Sequence, residues 1–136
     1  MPLTIYTDGG ARGNPGPAGI GVVIYRGDEQ LAAQGEYIGD KLTNNWAEYE
    51  AVVFALVKAL ELELRGADID FKLDSLLVVE QLNGNWKIKE PSLKPQAEKV
   101  RGLLSDFGRV TFSHIPREQN KEADRLVNEA LDAKLA

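Results

Sequence analysis

The stretch that decides the fold runs from Leu3 to Gly27, LTIYTDGGARGNPGPAGIGVVIYRG. Its opening, LTIYTD, alternates apolar and polar positions and is rich in β-formers, which predicts a strand ending at Asp8. The following GGARGNPGPAG holds too many glycines and prolines for anything but a turn. GIGVVIYRG then reads as a second strand. Gly27–Asp28 joins it to a third, EQLAAQGEYIG, with a hairpin signal. The Gly-rich turn is neither G-x-x-x-x-G-K-[ST] nor G-x-G-x-x-G, and it leads into a strand rather than a helix. Both phosphate-loop readings are therefore excluded.

Further along, NNWAEYEAVVFALVKALELELRG predicts a long helix that starts near Asn44 or Asn45 and stops at Gly66. ADIDFKLD predicts a short strand ending at Asp74, and SLLVVEQLNG a helix stopped by Gly84. NWKIKEPSLKP reads as a loop, with a helix after it to about residue 107. RVTFSHI is the last strand, broken by Pro116, and NKEADRLVNEALDAKL the last helix. Three closely linked strands favour an antiparallel meander, and strands alternating with helices favour parallel pairing. The expectation is one α/β domain over residues 1–136, a five-stranded mixed sheet flanked by helices.

Composition narrows the chemistry. The 136 residues contain no cysteine and one histidine, His114. A disulfide framework, a thiol nucleophile and a Cys- or His-rich zinc site are excluded, so a bound metal would be held by oxygen. No apolar run is long enough to span a membrane and no signal peptide is visible. A cytoplasmic monomer is expected. Net charge is −5, a sign that does not attract polyanions. Its distribution is uneven. Residues 84–101 carry five bases against two acids, and residues 48–74 seven acids against three bases.

Four carboxylates sit at junctions between elements: Asp8, Glu48, Asp74 and Asp124. Each has an ordinary structural use. Asp8 before Gly9–Gly10 suits an Asx turn, Glu48 after Asn45 a capping box, and Asp74 before Ser75 a helix N-cap. Asp124 suits the positive end of a helix. Taken together they suggest more. Asp8 and Asp74 converge if their strands are neighbours, with Glu48 and Asp124 projecting from first helical turns. Four converging acids repel one another unless cations sit among them. Two divalent ions in such a site can activate water for phosphodiester cleavage.

DGGARGNPGPAGIGVV at Asp8, TNNWAEYEA around Glu48, LDS at Asp74 and IPREQNKEADRLVNEA around Asp124 occur in that order. In these motifs the chain resembles the type 1 ribonuclease H family, most of all its compact archaeal-type and reverse-transcriptase-like branch. The resemblance implies a ribonuclease H fold and endonucleolytic cleavage of the RNA strand of RNA–DNA hybrids, leaving 5′-phosphate and 3′-hydroxyl ends. It implies two Mg²⁺ ions, with Mn²⁺ as a possible substitute, bound by Asp8, Glu48, Asp74 and Asp124. By the same matching, Gly9, Gly10, Asn14, Asn44, Asn45 and Glu48 read RNA 2′-hydroxyls, which amides can do because a 2′-OH both donates and accepts. Lys41 and Thr43 match a DNA-phosphate site, and Trp86 with Lys87 and Lys89 an aromatic and basic platform for the DNA strand.

The chain departs from that pattern in three places. The segment from Gly84 to Pro95 is too short for the basic handle of many bacterial members, so modest, salt-dependent affinity is expected. RVTFSHIP places His114 in a strand. That leaves Arg117 as the loop group nearest the metals, able to bind a phosphate but not to shuttle a proton. Leu76 stands where many relatives carry a polar contact. Other readings are a catalytically weak nucleic-acid-binding module on the same fold and a nuclease that also cuts double-stranded RNA.

Overall fold

A computed structural model describes residues 1–136. The strands are β1 (Leu3–Ala11), β2 (Gly16–Arg26), β3 (Glu29–Leu42), β4 (Ile69–Leu73) and β5 (Val110–His114). The helices are α1 (Asn44–Glu61), α2 (Leu76–Leu82), α3 (Lys94–Leu104) and α4 (Lys121–Leu135), with single 3₁₀ turns at Pro91–Leu93 and Arg117–Gln119. The strands form one sheet in the order β3-β2-β1-β4-β5. β1–β2 and β2–β3 are antiparallel, while β1–β4 and β4–β5 are parallel. This is the expected mixed sheet.

Alternation along β1 sends Leu3, Ile5, Thr7 and Gly9 to one face and Tyr6, Asp8 and Gly10 to the other. The first face packs against α1, and α3 packs on α1 in turn. Leu3, Ile5, Val22, Ile24, Phe71 and Leu73 meet Tyr49, Val52 and Leu56 there. Phe71 and Phe112 stack with centroids 5.1 Å apart. The second face is covered by α4 over β1, β2 and β3.

Several element boundaries differ from expectation, including the end of β3, at Leu42 rather than Gly39, and the end of α3, at Leu104 rather than about residue 107. The Gly-rich run is mostly strand: β1 continues to Ala11 and β2 begins at Gly16, leaving a turn of four residues. Thr43 caps α1, its hydroxyl accepting from the Trp46 amide at 3.2 Å, so neither Asn44 nor Asn45 is the cap and Glu48 closes no capping box. α1 ends at Glu61 rather than Gly66. Glu63 takes a left-handed φ of 63°, and the Leu64 amide returns to the Ala59 carbonyl at 2.9 Å. That is a Schellman closure built without glycine, and it folds Leu64 into the core.

Candidate active site

Two glycines bring the helices close enough to the sheet to build a site. A Cβ on Gly9 would lie 2.3 Å from the carbonyl carbon and oxygen of Ala47. Only a residue without one lets α1 press against β1 at that level. Glu48 stands one turn before Ala51 and Val52 on the buried face of α1, so the contact carries its carboxylate inward. On the other face, Asp8 pairs with Gly21 of β2. A Cβ on Gly21 would lie 2.1 Å from the Ala123 carbonyl oxygen. α4 therefore rests directly on Asp8's neighbour, with Asp124 as its next residue.

The parallel pairing of β1 with β4 aligns Thr7 with Leu73, which sets Asp8 and Asp74 side by side beyond that register. Carboxylate oxygens of Asp8, Glu48 and Asp74 lie within 4.8 Å of one another. The Gly9 amide donates to both Asp8 Oδ1 (3.0 Å) and Glu48 Oε1 (3.2 Å). Glu48 Oε2 is buried with no partner. Asp74 does not cap α2; the adjacent Ser75 hydroxyl does, accepting from Val78 N. That leaves the Asp74 carboxylate free to face the cluster.

Burial pushes the Asp8 carboxyl up to about 7, with repulsion from Asp74 and Asp124 added and a hydrogen bond with Glu48 opposing. Burial and the Asp8 charge hold Glu48 well above the usual carboxylate range. Asp74 is raised by burial, against the pull of the Arg117 guanidinium and a hydrogen bond from Asn120. Closely set, desolvated acids of this kind either hold protons or take up a cation. The donor set is all oxygen, and the buried Glu48 Oε2 lacks a partner that an ion would supply. The residues present therefore fit a hard divalent cation.

These acids open onto a cleft of about 500 Å³, also lined by Gly9, Gly10, Arg12, Asn44, Asn45, Ser75, Arg117, Asp124 and Asn128. Asp124 lines the cleft but stands outside the tight trio. Asn44 and Asn14 are clasped together. Asn14 Oδ1 accepts from the Asn44 amide (3.0 Å), and Asn44 Oδ1 accepts from the Ala11 amide (2.8 Å). Gly9 spends its N–H on the carboxylates, so that donor is not offered outward. Asn45 also lines a second groove, of about 590 Å³, with Trp86, Lys87, Lys89, Leu77 and Leu93. Trp86 is 45% exposed there. Lys41 is exposed near the end of β3 and lines neither space, and Thr43 is engaged in capping. His114 is the last residue of β5 and exposed, outside the cleft.

The sequence reading passed over Arg12 and Asn128. The signal for Asn128 is the four-residue spacing of Asp124, Asn128 and Asp132, which puts the three on one face of α4, whereas the turn between β1 and β2 gives no such signal for Arg12.

A 3-2-1-4-5 mixed sheet with convergent carboxylates beyond its central strands defines an α/β protein of the ribonuclease H-like class. The reverse transcriptase-like family pattern matches residues 6–130. A ribonuclease HI of Halobacterium salinarum is 42% identical over 127 residues, covering 93% of this chain and 63% of that protein. A bifunctional protein of Mycobacterium tuberculosis is 43% identical over 135 residues, covering 98% of this chain and 36% of that protein. The chain thus spans about a third of the mycobacterial relative and under two thirds of the halobacterial one. The crystal structure of LC11-RNase H1 in complex with RNA/DNA hybrid superposes with a TM-score of 0.93 at 45% identity, covering 98% of this chain and 99% of that one. The chain belongs to the ribonuclease H-like family, in its reverse transcriptase-like branch.

Proposed function

We propose that this chain is a metal-dependent endonuclease that hydrolyses the RNA strand of RNA–DNA hybrids and leaves 5′-phosphate and 3′-hydroxyl ends. The observation that carries the reading is the Asp8–Glu48–Asp74 cluster, with its unpartnered Glu48 oxygen, open to a cleft rimmed by amides. The hybrid bound to a 45% identical relative supports the substrate.

Asp8, Glu48, Asp74 and Asp124 would hold two Mg²⁺ ions, or Mn²⁺ in their place. When bound, the ions would supply Lewis acidity at the scissile phosphate and ease deprotonation of the attacking water. Burial and mutual repulsion raise the proton affinity of Asp8 and Glu48, so ion binding there would be coupled to proton release. Arg117, beside Asp74, would hold a phosphate oxygen with its guanidinium. Asn14 and Asn44 spend their side-chain oxygens on backbone amides, so each offers its Nδ2 group to a 2′-hydroxyl oxygen. Asn45, shared by cleft and groove, would sit between the strands, with Trp86 and Lys87 against the DNA strand. Gly10 supplies backbone beside the RNA, and Lys41 with Thr43 a DNA phosphate contact. The chain acts as a monomer, and no helix is long and apolar enough to cross a membrane.

The test is cleavage of a labelled RNA–DNA hybrid at low salt with Mg²⁺, Mn²⁺ or EDTA, beside single-stranded RNA, double-stranded RNA and double-stranded DNA. Metal-dependent cuts confined to the RNA of the hybrid are expected. Hybrid binding with no cleavage under any metal would replace this reading with that of a binding module.

A further inference from the structure

Asp124 is the one acid of the four outside the tight cluster, and the structure shows what holds it. Asn128, one turn along α4, donates from Nδ2 to the Asp124 backbone carbonyl (3.1 Å) and to Asp124 Oδ2 (3.4 Å). The Asn128 side-chain oxygen accepts from Arg12 Nη2 at 3.3 Å, and the Asn128 backbone carbonyl accepts from the same nitrogen at 3.4 Å. Arg12 in turn pairs with Asp132, a further turn along, at 2.7 Å. The four side chains form one line: Asp132, Arg12, Asn128, Asp124.

The chemistry of the line leaves one orientation for the amide. A guanidinium only donates, so Asn128 must turn its oxygen toward Arg12. Its NH₂ group then faces the Asp124 carboxylate, which only accepts when ionised. With Arg12 absent, the Asp124 oxygens still call for the NH₂ end of the amide, but the amide oxygen loses its charged donor and the side chain is held from one end only. Arg12 belongs to the turn between β1 and β2, two residues from Asn14, and that asparagine is clasped to the start of α1. The line therefore joins the amide rim of the cleft to the fourth acid.

We infer that Asn128 is a positioning residue for Asp124, with its amide oriented by Arg12, and that this pair sets the Asp124 carboxylate for divalent-ion binding. The inference rests on the metal-dependent reading proposed above. The Asn128 hydrogen bond occupies Oδ2 and leaves Oδ1 for an ion. Loss of such an outer partner typically weakens metal binding by about 10- to 100-fold. Both residues are exposed, and an exposed ion pair adds little to stability, so the variants should fold.

The experiment combines three readouts on wild type, Asn128→Ala, Arg12→Ala and Arg12→Lys. They are calorimetric titration with Mg²⁺ or Mn²⁺ in the absence of substrate, the side-chain amide NMR signals of the metal-free protein, and hybrid cleavage resolved into kcat and KM. Asn128→Ala should weaken ion binding about tenfold or more and lower kcat at limiting metal, with KM for hybrid nearly unchanged. Arg12→Ala should shift the Asn128 amide signals and weaken ion binding in the same direction, and Arg12→Lys should recover most of the loss. Unchanged ion affinity in Asn128→Ala, in a wild-type background that binds Mg²⁺ and cuts hybrid, would overturn this inference alone. Arg12→Ala that raises only KM, with ion affinity and amide signals intact, would overturn the orienting role and make Arg12 a substrate contact. A wild-type protein that neither binds Mg²⁺ nor cuts hybrid would overturn the functional reading and this inference with it.

Discussion

The two helices that flank Asp8 are seated by the same device but deliver their acids differently. On one face, Gly9 admits the backbone of α1, and Glu48 arrives buried, with one oxygen on the Gly9 amide and the other without a partner. On the other face, Gly21 admits the backbone of α4, and Asp124 arrives half-exposed, outside the trio, with a side-chain partner of its own. The difference follows from position in the helix packing. Each acid directly follows the alanine that makes the contact, Ala47 or Ala123, but Glu48 is buried on the face of α1 that packs on the sheet, whereas Asp124 stays half-exposed on α4. The first seat creates a desolvated site that favours a cation. The second brings a carboxylate to the edge of the cleft, where a polar side chain holds it.

The largest expected effect comes from removing the acid that both seats share. Asp8→Asn should lower cleavage of hybrid by roughly a thousandfold or more, because a transition-state charge contact worth several kcal/mol is lost. Far-UV circular dichroism should stay unchanged. Cleavage near the wild-type rate would mean that the two helices do not converge on a working site.

The second test uses protons. In the folded, metal-free protein the Asp8 pKa is about 7, against an ordinary 3.8, and Glu48 and Asp74 are raised as well. Between those values the folded state binds more protons than the unfolded one. Stability in EDTA should therefore fall as pH rises from about 4 to about 7, by about 1.4 kcal/mol per pH unit for each proton of difference. Mg²⁺ at pH 7 should raise Tm, since it binds the folded site. Thermal melts at four or five pH values, with and without the ion, check both signs. A metal-free Tm that climbs from pH 4 to pH 7 would contradict the buried-acid account.

The seats themselves can be spoiled one at a time. Gly9→Ala and Gly21→Ala should each destabilise by about 1–3 kcal/mol, as in overpacked cores. Only Gly9→Ala should also flatten the pH dependence, because it moves Glu48 away from Asp8. Urea melts at pH 4 and pH 7 would separate the two variants, and identical behaviour would erase the distinction between the seats.

The smallest effect lies outside both seats, in the groove beside Trp86. Lys87→Ala should weaken hybrid binding and reduce the slope of log affinity against log salt by about 1, with kcat preserved. Binding isotherms at several salt concentrations check it. An unchanged slope would remove Lys87 from the phosphate contacts.

Much of this arrangement is legible in the chain itself. Alternation in LTIYTD, the hairpin at Gly27–Asp28 and the long apolar period from Asn44 specify the elements and their order, since hydrophobic spacing and turn residues act locally. The junction positions of Asp8, Glu48, Asp74 and Asp124 could likewise be read there. Cap identity was less visible: Thr43 rather than Asn44 or Asn45, and Ser75 rather than Asp74, make the bonds. Adjacent residues of equal capping ability are separated only by backbone angles. The glycine run misled for a related reason. Glycine allows a turn, but it equally allows a strand to touch a helix backbone, and the letter is the same for both.

The sequence by itself determined which residues could bear charge, which segments become strands and helices, and that any metal must be held by oxygen. Only the tertiary structure decided that three of the acids share one desolvated space, that Asp124 waits at its edge, and that Arg12 and Asn128 stand behind it. Those outcomes depend on contacts between residues 39 to 116 positions apart, such as Gly9 with Glu48 and Arg12 with Asn128. Burial, and with it the proton affinity of a carboxylate, is a property of what surrounds a residue in space rather than of its neighbours along the chain.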